Sequence, residues 1–211
     1  MVTAIVLAAG LSARMGEANK LLLPLGGKTV IETVVQNIID AGIEEVIVVT
    51  GHEAEAVKKV LVNLPVQTIH NPDYAKGMTT SIQLGVSMAR GSGYMICLSD
   101  MPLITPQDYA LLKRIFDDQR IINQQCIAIP KFLEEKGNPV IFSSHYKSAI
   151  LNHLEMEGCK EIIQSNKKNI CWIEMSNENI LKDMDTVSDY DKIKQLSSPN
   201  GVTSPVGRVG R

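Results

Sequence analysis

The sequence is poor in the features that would place it outside the cell or in a membrane. It has four cysteines, Cys97, Cys126, Cys159 and Cys171, widely spaced and without a CxxC pair. Neither a zinc cage nor a disulfide scaffold is therefore indicated. Cys97 and Cys126 sit in apolar runs and are expected as buried thiols, which suits a reducing cytoplasm. No apolar run approaches the roughly 20 residues of a membrane span. The N-terminus has no basic segment ahead of an apolar stretch, so no secretory signal is expected. Net charge is only −2 over 211 residues, so no global field favours nucleic acid or an anionic membrane. A polyanionic ligand would need a local basic patch. There is no internal repeat, no GxGxxG and no GxxxxGK[ST], which removes the usual dinucleotide and Walker signatures. "VVTGH" also offers no acid at a second strand end for a ribose.

What is present is apolar and regularly broken. Apolar residues make up 45% of the chain, enough for a substantial core. Ala4–Ala8, Glu45–Thr50, Val66–His70, Tyr94–Leu98 and Cys126–Ile129 are continuous β-branched or apolar runs, as strands covered on both faces require. Helical periodicity fills the gaps at Val30–Asp40, Glu53–Val62, Thr79–Arg90 and Pro106–Arg120. Gly42 is a stop for the first, Thr79 or Thr80 a cap for the third, and Thr105 with Pro106 a start for the fourth. Strand alternating with helix predicts a mostly parallel α/β sheet with right-handed crossovers.

The last third reads as short strands at Gly137–Phe142 and Ile170–Glu174, with helices at Ser144–Leu154 and Gly158–Asn166. It is expected as an insertion or extra sheet on the same domain. Trp172, the sole tryptophan, is expected in the core. Thr186–Leu196 reads as a closing helix, so residues 1–196 form the expected domain. Residues 197–211, rich in Ser, Pro and Gly, are expected as a disordered tail.

The stretch after the first strand raises the functional question. Gly10, Ser12, Arg14, Gly16 and Lys20 lie where parallel sheets bind ligands, beyond a strand's carboxyl end. Glycines let a backbone approach closely, and successive N–H groups with Arg and Lys can wrap a phosphate. The residues alone leave two readings, a phosphate-binding loop and a plain strand–helix turn. Asp100, directly after the Tyr94–Leu98 run, reads either as a turn or cap residue or as a ligand. Asp183 and Asp185, ahead of the closing helix, carry the same ambiguity.

"LAAGLSARMGEANKLLLPLGGKTVIE" resembles the opening of glycosyltransferase-A-like nucleotidyltransferases, and within them the molybdenum-cofactor cytidylyltransferases. Their LAAGxSxRMGxxK is matched with one residue more between Gly16 and Lys20. The resemblance recurs in order at "NPDYAKGMTTSIQLGV", "LSDMPLIT", "GNPVIF" and "DMDTVSDY". It implies a three-layer αβα sandwich with a Rossmann-like sheet and Mg²⁺-dependent transfer of CMP from CTP to a molybdopterin-type phosphate. It assigns Arg14, Lys20 and Asp100 to catalysis and Asp100 and Asp185 to the metal. Ala8, Ala9, Gly10, Leu11, Ser12, Arg14, Lys20, Gly77, Thr80 and Ser81 fall to the nucleotide. Asn138, Pro139 and Lys160 fall to the acceptor, in a cleft shared with Asp100. A molybdoenzyme that receives the product is a further implied partner.

Related guanylyltransferases carry Gly at the position of Ala9, so Ala9 favours a pyrimidine. Departures concentrate on the acceptor side. Asn138 stands for a common His, and "EMEGCK" for GDxGAR, so Lys160 replaces an Arg and loses its planar fork. Ser99 and Met101 stand where relatives usually have Gly and Gln. The methylerythritol-phosphate cytidylyltransferases share the opening, but "LSDMP" replaces their HDAARP. A different phosphate acceptor, such as a sugar or alcohol phosphate, and a non-catalytic cofactor-binding chaperone are the alternatives carried forward.

Overall fold

The computed structural model describes residues 1–11 and 19–196. Residues 12–18 and 197–211, which include Ser12, Arg14, Gly16 and the C-terminal tail, lie outside the described residues.

Strand β1 (Val2–Ala8) pairs in parallel with β4 (Glu45–Thr50) on one side and β6 (Gly93–Leu98) on the other, and β4 pairs in parallel with β5 (Gln67–His70). Beyond β6 the sheet continues through β9 (Val140–Ser143), β7 (Ile127–Phe132) and β10 (Ile170–Glu174). β9 runs antiparallel to both neighbours, whereas β10 is parallel to β7. A short β8 (Glu135–Lys136) folds back on β7. The last third therefore extends the central sheet and does not build a second one. The separate small sheet is the hairpin of β2 (Pro24–Leu25) and β3 (Lys28–Thr29).

Period-2 alternation sends side chains of each strand to two cores. Val2, Ala4, Val6 and Ala8 of β1 join one cluster with α1 (Val30–Asp40), α2 (Ala54–Leu61) and α4 (Pro106–Ile122). Ile5 of β1 joins the other, with Ile82 and Val86 of α3 (Met78–Met88), Ile150 of α5 (Lys147–Leu151) and Ile162 of α6 (Lys160–Ser165). Two helical layers on one mostly parallel sheet make the three-layer αβα sandwich. Burial on both faces explains why β4, for example, is buried at every residue.

Local chemistry fixes the helix ends. Thr29 with Glu32 and Thr105 with Asp108 form reciprocal capping boxes at α1 and α4. Gly42, at φ 76°, follows α1 and takes the left-handed conformation a side chain would resist. α3 differs from expectation: Gly77 is its N-cap, and neither Thr79 nor Thr80 caps it. Trp172 also departs, being 49% exposed. β10 is the sheet's edge strand, and Ile173 turns inward while Trp172 turns to solvent. Among the described residues no helix is long and apolar enough to cross a membrane.

Candidate active site

β1 and β6 are adjacent parallel strands, so their carboxyl ends open into the same space. The Ser99 hydroxyl donates to the Leu7 carbonyl at 2.6 Å and ties the two ends together. A cleft of about 440 Å³ lies there, lined by Ala9, Gly10 and Leu11 after β1 and by Ser99 and Asp100 after β6. Tyr74, Gly77, Met78 and Ser81 close it from the approach to α3, and Lys20 and Asp185 complete it.

Lys20 opens a 3₁₀ turn, Lys20–Leu22. Asn19 caps the turn by accepting the Leu21 N–H at 3.1 Å, and Leu21 is buried. These anchors aim the Lys20 side chain into the cleft. Its ammonium donates to Asp100 Oδ2 at 2.6 Å and to Asp185 Oδ1 at 2.9 Å. Both bonds are charge-assisted and largely shielded, with side-chain exposures of 15% for Lys20, 16% for Asp100 and 30% for Asp185.

Burial opposes the Lys20 charge. The charge and hydrogen bond of Asp100, and then those of Asp185, overcome it and raise the pKa above the ordinary lysine value. Asp183 is also pushed toward its protonated form, which for a carboxyl is the neutral one: desolvation first, then the negative charges of Asp185 and Asp100, raise its pKa. An acidic pocket thus surrounds one ammonium.

The capping alternative for both aspartates is answered by the hydrogen bonds. Thr105 and Asp108 cap α4, which leaves the Asp100 carboxylate on Lys20. Thr186 and Asp189 make the reciprocal pair at α7 (Val187–Leu196), so Asp185 likewise is directed to Lys20.

The two acids fit a hard divalent cation in charge and donor type. Among the described residues no group of three or more His, Cys, Asp or Glu could hold a metal ion. Protein oxygens would therefore supply only part of a shell, which suits a cation that keeps waters and takes phosphate oxygens.

The nucleotide-side residues divide into two layers. Ala9, Gly10, Leu11, Lys20, Gly77 and Ser81 line the cleft; Ala8 is buried in the core, and Thr80 is not among the lining residues. Thr80 Oγ1 donates toward the Gly77 and Asp73 carbonyls. On the acceptor side, Asn138, Pro139 and Lys160 are not among the residues that line the cleft around Asp100. The Asn138 N–H is held by the Ile180 carbonyl at 3.0 Å, and Lys160 is exposed and paired with Glu157 at 2.8 Å. The acceptor segment reaches the cleft's rim instead through its backbone. Thr79 Oγ1 donates to the Glu155 carbonyl and accepts the Gly158 N–H, and Gly77, at φ 116°, leaves room for the Met156 carbonyl.

Sequence reasoning missed Asn71 and Tyr74. Asn71 is buried at the end of β5; its amide donates at 2.9 Å to the hydroxyls of Thr80 and Ser81, and its oxygen accepts the Asp73 N–H. The signal was the Asn of "NPDY", a residue type that bonds its own backbone two residues on. Tyr74 packs against Gly51 and lines the cleft; nothing local announces that contact.

An open αβα sheet with Gly10, Lys20 and two converging carboxylates at its carboxyl edge is the setting of a nucleotidyltransferase. The chain belongs to the MobA-like NTP transferase domain family, which it matches over residues 4–170. It is 26% identical over 193 residues to the molybdenum cofactor cytidylyltransferase of Escherichia coli, covering 90% of this chain and 94% of that one. It is also 26% identical over 196 residues to the nicotine blue oxidoreductase of Paenarthrobacter nicotinovorans, covering 91% and 96%. Among solved structures, a nucleotidyl transferase from Methanothermobacter superposes with a TM-score of 0.82 at 25% identity, over 92% of this chain and 96% of the other. A Mycobacterium tuberculosis protein solved in complex with manganese has the same fold, with a TM-score of 0.74 at 22% identity over 92% and 98%.

Proposed function

We propose that this enzyme is an Mg²⁺-dependent cytidylyltransferase that joins CMP, taken from CTP, to the phosphate of a molybdopterin-type cofactor. The observation that carries the reading is the convergence of Asp100 and Asp185 on Lys20 in a cleft floored by Gly10. An oxygen of the acceptor's phosphate attacks the α-phosphorus, the bond from that phosphorus to the bridging oxygen of the β-phosphate breaks, and pyrophosphate leaves. The attacking oxygen is already ionised, so no general base is obligatory.

Asp100 and Asp185 would hold Mg²⁺, which withdraws charge from a bound triphosphate. Lys20 supplies fixed positive charge within the cleft, and Arg14, which lies outside the described residues, is assigned the same task. Gly10 and Leu11 offer backbone to the phosphates. Ala9, Gly77 and Ser81 bound the base and ribose, with Asn71 orienting Ser81. Asn138, Pro139 and Lys160 are assigned to the acceptor. The Thr79 bonds to the segment 155–158 support a link between that side and the nucleotide loop.

The test is pyrophosphate release with Mg²⁺, each nucleoside triphosphate in turn, and a panel containing a molybdopterin-type cofactor and sugar and alcohol phosphates. Mass spectrometry would identify the product. A CMP adduct of the pterin cofactor is the expected result. Transfer to a sugar or alcohol phosphate would keep the reaction class and change the acceptor. Tight cofactor binding without pyrophosphate would indicate a maturation chaperone that hands the cofactor to a molybdoenzyme. The relative named as an oxidoreductase makes nicotinamide consumption a worthwhile control; the absent GxGxxG and the acid pair around Lys20 weigh against it.

A further inference from the structure

Lys20 does more than face the cleft: its ammonium sits between the two carboxylates that the functional reading assigns to a metal. Resting on that reading, we infer that Lys20 fills the cation position of the nucleotide-free enzyme and excludes the divalent metal until a triphosphate draws the lysine away. The site is thereby ordered, with metal entering together with nucleotide.

Three observations carry this. First, Asp100 and Asp185 each spend a carboxylate oxygen on the same nitrogen, at 2.6 and 2.9 Å. A hard divalent ion binds carboxylate oxygen at about 2.1 Å, so an ion on those oxygens would stand a few ångströms from the ammonium. Two positive charges at that range in a partly dry pocket repel strongly. Second, two carboxylates from separate loops, Asp100 and Asp185, converge on the single point that the Lys20 ammonium occupies. Taking Lys20 away costs each carboxylate a charge-assisted bond, a loss that an incoming cation offsets. Third, the exchange partner has a place. Lys20, Gly10 and Leu11 line the same cleft, so a triphosphate entering there offers anionic oxygens to the lysine as it leaves the acids. Lys20 is mounted on a capped 3₁₀ turn whose next residue is buried, so its flexible side chain can swing while its Cα stays fixed.

The experiment is Mn²⁺ binding to the full chain without nucleotide, followed by the spin signal of free Mn²⁺ and by the metal-dependent rise in melting temperature. Wild type is expected to bind weakly. Lys20→Met, which keeps most of the length and removes the charge, is expected to bind at least about tenfold more tightly, a small part of what a unit charge costs a divalent ion at this range. Lys20→Arg, which keeps the charge, is expected to stay as weak as wild type. Adding Asp100→Asn to Lys20→Met should abolish the gain. If Lys20→Met does not fold, Lys20→Gln provides the same comparison. Equal or weaker Mn²⁺ binding in the uncharged variant would overturn the inference, as would a gain of equal size in Lys20→Arg. Because no nucleotide is present, this outcome is independent of transfer. An enzyme that moves CMP while Lys20→Met shows no gain loses only the exclusion; a gain without transfer to any acceptor removes only the functional reading.

Discussion

The main-chain N–H of Met184 donates to the carbonyl of Asp100 at 2.9 Å. Met184 is fully buried among Leu25, Val30 and Ile193, so the loop before α7 is nailed to the hairpin and to the end of β6 at once. Asp183 and Asp185 flank that nail. This is how two acids distant in the sequence come to share one lysine.

Asp100→Asn keeps the size of the side chain and removes its charge. Transfer is expected to slow by about 100-fold or more if the metal supplies several kcal/mol of transition-state stabilisation. Any fall in melting temperature should come from the weakened Lys20 pair, which Asp185 still holds, and not from a lost helix cap, because α4 is capped by Thr105 and Asp108. Thr105→Ala should show the reverse pattern, about 1 kcal/mol of lost stability with near-normal turnover. Thermal melts and single-turnover rates on both variants separate the two roles; near-normal transfer in Asp100→Asn would remove it from the mechanism.

CTP is expected to bind more tightly than GTP in the presence of Mg²⁺. Ala9 lines the cleft beside Gly51 and Tyr74, and the pyrimidine reading rests on its methyl group standing where related guanylyltransferases carry Gly. Calorimetry checks the order, and Ala9→Gly should narrow the gap. Tighter GTP binding by the wild type would defeat the pyrimidine reading.

Asn71→Ala removes an amide that donates to two hydroxyls and an oxygen that holds the Asp73 N–H. Loss of about 1–3 kcal/mol is expected, because buried partners are left unsatisfied. Ser81 lines the cleft, so CTP affinity should fall with it. Denaturant melts and CTP titration read the two effects separately. A destabilised variant with unchanged CTP affinity would show that the start of α3 does not touch the nucleotide.

Glu45, at the opposite end of the sheet from the cleft, is expected to contribute to acid stability. Burial pushes its pKa up, but hydrogen bonds from the Thr3 hydroxyl and from Arg90, with the Arg90 charge, bring it below 4.5. A carboxyl with a depressed folded pKa stabilises fully above its unfolded value and loses that contribution as pH falls through the folded one. Melting temperature should therefore drop as pH falls below about 4.5. In Glu45→Gln the protein should be less stable at neutral pH, and this acid-side drop should flatten. An unchanged slope would mean another group carries it.

Strand and helix positions in the nucleotide half were legible because both-face burial and capping chemistry are local. "EVIVVT" is a short β-branched run that forms a covered strand, and "ITPQD" carries the Thr cap and Pro that start α4. The metal role of the acid pair was legible only through resemblance; the residues alone freed Asp100 from capping, since Thr105 starts α4, and left capping open at Asp185.

What the sequence by itself determined is the alternating α/β order, the main helix boundaries and the set of residues able to handle a phosphate. The tertiary structure decided what depends on partners distant along the chain: that Trp172 faces solvent because β10 is an edge, that Asn138 and Lys160 stand off the cleft, and that Lys20 is shared by two acids. Period and propensity act over a few residues. Which strand lies at the edge, and which loop end meets which, follows from the packing of the whole sheet.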